Sequence, residues 1–254
     1  MGGLSVSAPT RVSRATGDSP RARPRPSNIT CKILMAVTGL IFAAFVLVHM
    51  IGNLKVYTGA DHFDDYAHWL RTVFEPFLPY EGLLWILRIV LLASLVAHVW
   101  CAWLLTVRGR RARGKFRRKG LGIKSFTART MPVTGAVLLL FVIFHILDLT
   151  TGTRPIGSAE YEAATRTQSY AYDNLIASFE RPLVASFYIV AMALLAMHLA
   201  HGLWSAVNDL GVTGQRLRQI AVALSGIFAL VVMVGNMSIP IAVMTGVISK
   251  TGAS

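Results

Sequence analysis

Residues 182–207 read PLVASFYIVAMALLAMHLAHGLWSAV and contain no aspartate, glutamate, lysine or arginine. As an α-helix this stretch is about 39 Å long, enough to cross the ~30 Å hydrocarbon layer of a bilayer. Two histidines, His198 and His201, sit inside it. An ionisable group in lipid is costly, so it faces a partner, a cavity or a bound group. The stretch therefore reads as a membrane span with a site built into it.

Four further apolar stretches read the same way, at about 31–54, 83–107, 130–149 and 217–243. A 54% hydrophobic composition and a mean hydropathy of +0.55 set the chain apart from soluble domains. Strands of a closed barrel would be shorter and would alternate in polarity, which these runs do not. The expected fold is all-α: one five-helix transmembrane bundle over residues 29–249. A basic, disordered tail, 1–28, precedes it and a short tail, 250–254, follows. The N-terminal tail lacks an apolar core segment, and its prolines disfavour an amphipathic targeting helix.

A net charge of +13 raises nucleic acid as a partner, but the distribution argues for a membrane instead. Arg11 to Lys32 before span one, the run Arg108 to Lys124 after span two, and Arg216 and Arg218 before span five lie on one side. The other connections are mixed: Asp61, Asp64, Asp65, Glu75 and Glu81 accompany Lys55 and Arg71. Positive residues mark the cytoplasmic side, which puts the N-terminus inside. The basic loops can also touch anionic lipid or a cytoplasmic partner.

His49, His98, His145 and His198 each fall in a different span, at intervals of 49, 47 and 53 residues. Helical rise places His49 and His145 roughly 22–24 Å from the inner boundary, and His98 and His198 roughly 12–14 Å from it. Two layers result, each drawing one histidine from two helices. Neutral imidazole is an axial ligand of haem iron, and a six-coordinate haem takes two. Two haem groups are therefore expected, with helix–helix hydrogen bonding as the plainer alternative. No CxxCH occurs, so the haem would be of b type. With both cysteines, Cys31 and Cys101, at the inner half, no disulfide framework is expected.

An internal repeat follows the same layout. Met35-Ala-Val-Thr-Gly39 precedes His49, and Met131-Pro-Val-Thr-Gly135 precedes His145. Each glycine lies ten residues before its histidine, roughly 15 Å of helix, and so near the inner layer. There it would admit a porphyrin edge or close helix packing. Four residues after His98 and His198 come Ala102 and Gly202, small residues on the same face. That match favours His198 over His201 as the ligand and leaves His201 for a propionate or a quinone. His62 and His68, beside Asp61, Asp64 and Asp65, read as solvated loop residues.

The segment Met197-His-Leu-Ala-His-Gly-Leu-Trp204, taken with the four-helix histidine set, resembles the single-chain, five-helix cytochrome b subunit of succinate dehydrogenases and fumarate reductases. The likeness covers about residues 26–249. It implies a membrane anchor with two haem b groups, docked to a flavoprotein and an iron-sulfur subunit on the cytoplasmic face. It assigns His98 with His198 to the proximal haem iron, and His49 with His145 to the distal one. Electrons would pass through both to a quinone, menaquinone being the expected one, in respiratory complex II. No dicarboxylate chemistry would reside on this chain. Some fumarate reductases of this type carry a transmembrane proton-transfer glutamate two residues before the fourth histidine; here that residue is Ala196.

A quinone slot needs an apolar pocket with a few polar groups. Near the distal haem Glu81, Trp85 and Asp148 are candidates; near the proximal one, Ser27, Lys32 and Arg88. Each also suits an interfacial anchor. The alternatives are a di-haem anchor of another membrane dehydrogenase and a haem-free, proton-coupled transporter. The latter would need broken helices, for which Pro240 offers the one expected break. A bacterial plasma membrane is the expected location, and the complex could form a higher oligomer.

Overall fold

The structure, a computed structural model, describes residues 26–113 and 123–250. Most of the N-terminal tail, the basic segment 114–122 and residues 251–254 lie outside the described residues, as do the charge assignments that fall on them. Among the described residues regular structure is helical: α1 (Asn28–Asn53), α2 (Ala60–Thr72), α3 (Gly82–Arg113), α4 (Ile123–His145), α5 (Ala171–Phe179), α6 (Pro182–Asp209) and α7 (Gln215–Met244). A 3-10 turn, Leu54–Thr58, extends α1, and a π-turn, Ile146–Thr150, extends α4. The five helices α1, α3, α4, α6 and α7 are long and apolar enough to cross a membrane.

Local chemistry fixes the helix ends. The Ser27 hydroxyl accepts the Thr30 amide at 3.0 Å, capping α1. Pro182 opens α6, where its missing N–H costs nothing. Gly211, at φ +100°, reverses the chain after α6 in a conformation that β-carbons resist. Pro132 lies within α4 and Pro240 within α7, which runs unbroken to Met244. The one place at which the sequence offers a break, Pro240, is thus unbroken helix.

α1 and α6 form the centre. α6 packs on α1, α4 and α7, and α1 packs on α3, α6 and α7. α3 and α4 flank them with little of their span surface buried, as expected of helices facing lipid. At one end of the bundle lie the start of α1 and the end of α3, with Arg108, Arg110 and Arg111. We call this the basic end.

The connections at the opposite end, expected as loops, contain α2 and α5 and form a cap. Phe63, Tyr172, Ile176 and Phe179 bury themselves with Tyr188, Ile239 and Val243 of the spans. Tyr66 of α2 packs on Gly52, where a β-carbon would come within 2.7 Å of its hydroxyl. The Tyr172 amide donates to Asp64 Oδ1 at 3.0 Å, and the Tyr172 hydroxyl to the Ser249 carbonyl at 3.1 Å. The cap therefore closes the end at which α1 and α4 finish.

Candidate functional site: two histidine pairs

The spans bring the four histidines together in twos. His98 of α3 and His198 of α6 have ring centres 6.5 Å apart, with planes at 56°. His49 of α1 and His145 of α4 stand 5.8 Å apart at 86°. The first pair lies toward the basic end and the second beneath the cap. Neither α3 with α6 nor α1 with α4 forms a packed helix pair, so each histidine pair bridges a gap between second neighbours.

Hydrogen bonds define which ring nitrogen is free. Thr38 Oγ1 donates its single hydrogen to the Leu34 carbonyl at 2.6 Å and lies 3.0 Å from His98 Nδ1. The hydroxyl has no second proton, so Nδ1–H of His98 is the donor and Nε2 keeps its lone pair. Thr134 repeats the device: its one hydroxyl hydrogen is shared between the Thr130 and Met131 carbonyls, and His198 Nδ1 donates to its oxygen at 3.1 Å. Under the cap, Tyr188 Oη donates to Asp148 Oδ2 at 3.0 Å and accepts from His145 Nδ1 at 3.3 Å. Three of the four imidazoles are thus held in the tautomer a metal ligand requires, by partners of the kind that orient ligating histidines.

Asp148 is fully buried. Its Oδ2 also accepts from Ser178 Oγ at 2.5 Å, and its Oδ1 pairs with Arg181 Nη2. Arg181 Nη1 reaches the Ile156 carbonyl at 2.6 Å. Both Asp148 oxygens therefore have donors, which offsets the cost of burying them. The π-turn after His145 presents Asp148 to that network.

The repeated glycines stand against the opposite pair. A β-carbon on Gly39 would touch His98 Cε1 at 3.6 Å, and one on Gly135 would touch His198 Cε1 at 3.5 Å. Gly202 instead faces Met131 of α4. His201 meets the Trp204 ring edge-on at 5.5 Å.

These pairs fit a bis-histidine haem. Two metal–nitrogen bonds of about 2 Å, added to the half-widths of two rings, separate imidazole centres by about 6 Å. Among the described residues no group of three or more histidine, cysteine or acidic side chains is placed to hold a metal ion.

The other candidate residues scatter. Ser27 is occupied as the α1 cap, and Lys32 pairs with Asp209 at 3.0 Å. Arg88, assigned above to the proximal side, lies at the capped end. Its Nη1 meets Glu81 Oε2 at 3.0 Å and its guanidinium stacks 4.8 Å from the Trp85 ring. The reason is direct: α3 begins under the cap, and Arg88 is only seven residues beyond Glu81. Glu81, Trp85 and Arg88 therefore form one cluster, to which Arg71 Nε adds an ion pair at 3.3 Å. Cys31 and Cys101 are free thiols.

Sequence reading gave no role to Thr38, Thr134, Ser178, Arg181 or Tyr188. It also missed Phe45 and Phe141, which stack on His49 and His145 at 5.3 and 5.8 Å. The phenylalanines and threonines were detectable, since both copies of the repeat read Met-x-Val-Thr-Gly, then Phe six residues after the glycine, then His four later. Comparison of the chain with protein-family models, with curated proteins and with solved structures found no match.

Proposed function

We propose that this chain is the membrane-anchor cytochrome b subunit of a succinate:quinone oxidoreductase. Its basic end would face the cytoplasm, in a bacterial plasma membrane. The observation that carries the reading is the presence of two histidine pairs, each across a helix gap, with Nδ1 tied to a hydroxyl in three of the four rings. His98 and His198 would hold one haem b, and His49 and His145 the other. Bound there, haem supplies one-electron transfer. The protein's own part is to fix ring orientation through Thr38, Thr134 and Tyr188, and to exclude water with the cap. Flavoprotein and iron-sulfur partners would dock at the basic end, and a quinone, menaquinone by preference, would accept the electrons. Glu81, Trp85 and Arg88 offer an ionic and aromatic group for a quinone near the capped-end pair.

Purification in mild detergent tests both levels of the reading. Pyridine haemochrome analysis should give two haem b per chain, with a low-spin spectrum. Mass spectrometry should show flavoprotein and iron-sulfur subunits together with it. Two haems with a different soluble partner would keep the cytochrome and replace the dehydrogenase, whereas a haem-free chain would sink both.

A further inference from the structure

Outside the histidine sites, one stripe of α3 joins aromatic and cationic residues. Trp100, Trp103, Leu104, Val107, Arg108 and Arg111 follow the spacing of a single helical face and, with Pro26, line a groove of about 350 Å³. The two indoles are 54% and 56% exposed, with ring centres 5.4 Å apart. Arg108 Nη1 donates to the Pro26 carbonyl at 2.9 Å and to Asn28 Oδ1 at 2.7 Å, so the guanidinium at the mouth is pinned to the entry of α1. Arg111, one turn further, is exposed.

We propose that this groove is a binding site for one anionic glycerophospholipid. The indoles and Leu104 would take the upper acyl chain, and Arg108 and Arg111 the phosphate and its neighbouring anion. α3 is the span with the least surface buried in the bundle, so its faces are left uncovered by the other helices. The stripe runs from apolar to cationic over three helical turns, matching the passage from acyl chain to headgroup. Tryptophan at that depth is at home on the interface. The volume is that of a small ligand site and suits a glycerol phosphate with its first methylenes. A neutral quinone would leave both arginines without a counter-charge, which is why a lipid is the better occupant. The inference needs only the membrane embedding and is independent of the redox reading.

The test uses the full chain in phosphatidylcholine nanodiscs, with brominated phosphatidylglycerol or brominated phosphatidylcholine as a tryptophan quencher. Each surface arginine favours an anionic lipid by about fivefold. Brominated phosphatidylglycerol should therefore quench at a mole fraction about 25-fold lower than brominated phosphatidylcholine. R111Q should cut that preference about fivefold, and W100F/W103F should remove the preferential quenching. R216Q/R218Q, which removes charge from the same end away from the groove, should leave it intact. Far-UV circular dichroism checks that each variant is folded. Equal quenching by the two lipids would overturn the proposal. So would an equal loss in R216Q/R218Q, or displacement of the lipid signal by an equimolar quinone.

Discussion

At the basic end each histidine leans on a threonine hydroxyl whose own proton goes to its own helix; under the cap, His145 leans on Tyr188, Asp148, Ser178 and Arg181. The first arrangement is self-contained. Thr38 and Thr134 are satisfied within one turn of α1 and α4, so each orienting group is complete as soon as its helix forms. The second draws on the π-turn, on α5, on the α5–α6 junction and on α6, and exists only once the cap has folded. The two pairs should therefore fail differently.

The largest effect separates ligands from neighbours. If each pair holds a haem as proposed, His198→Ala should remove one of the two from the assembled protein, measured by pyridine haemochrome. His201→Ala should keep both, because its ring abuts Trp204 and stands outside the 6.5 Å pair. Loss of haem from His201→Ala alone would reverse the assignment.

Next comes the cap network. Asp148→Asn leaves the Arg181 guanidinium without its counter-charge. We expect a loss of about 3 kcal/mol in unfolding free energy, the low end for breaking a buried pair because Arg181 retains some solvent. On the proposed reading, haem at the capped-end pair should be lost on heating before haem at the basic-end pair. Simultaneous loss of both would show that the cap network serves the whole bundle equally.

A matched pair of deletions sharpens the contrast. Thr134→Val removes one hydroxyl and leaves the His198 Nδ1–H without an acceptor, an effect of about 1–2 kcal/mol. Loss of an orienting partner typically weakens ligation by about tenfold or more. Tyr188→Phe removes an acceptor from His145 and a donor from buried Asp148 together, so it should weaken haem retention at its own pair more than Thr134→Val does at the other. Competition with apomyoglobin for released haem measures both. Equal effects would mean that the two histidines are held in the same way after all.

Legibility followed the range of the interactions. Five spans were readable because hydropathy over 20 residues is a local property. The histidine pairing was readable because helical rise converts sequence position to depth. The repeat exposed Gly39 and Gly135, yet the threonine beside each glycine carries the better-defined contact, and that depends on a partner 60 or more residues away. The Asp148 network was invisible for the same reason: Ser178 and Tyr188 are 30 and 40 residues from it. α2 was hidden because Asp61, His62, Asp64 and Asp65 lower its mean hydropathy, although its buried Phe63 docks it to the bundle. Arg88 falls at the capped end instead of the proximal side because it lies near the start of α3, seven residues beyond Glu81.

The smallest expected effect concerns the cap alone and tests whether it is a separable unit. Burial raises the pKa of Asp64 above the usual carboxylate value, and Asp173 and Asp61 add to that. The Tyr172 and Ala171 amides oppose it without reversing it. Below the ordinary carboxylate pKa, folded and unfolded chains are both protonated and the cap keeps its full stability. As pH rises through that value the unfolded chain ionises freely while the folded cap resists, so stability falls until the raised folded pKa is passed. Asp64→Asn keeps an oxygen to accept the Tyr172 amide and removes the charge. It should flatten this dependence and leave the cap slightly more stable than wild type at pH 7. Hydrogen exchange at the Tyr172 amide, corrected for its intrinsic pH dependence, reads the effect where it arises. Wild-type protection that stays constant from pH 4 to pH 7 would show that the carboxylate is already well solvated, and that the cap owes its closure to Phe63, Ile176 and Phe179 instead.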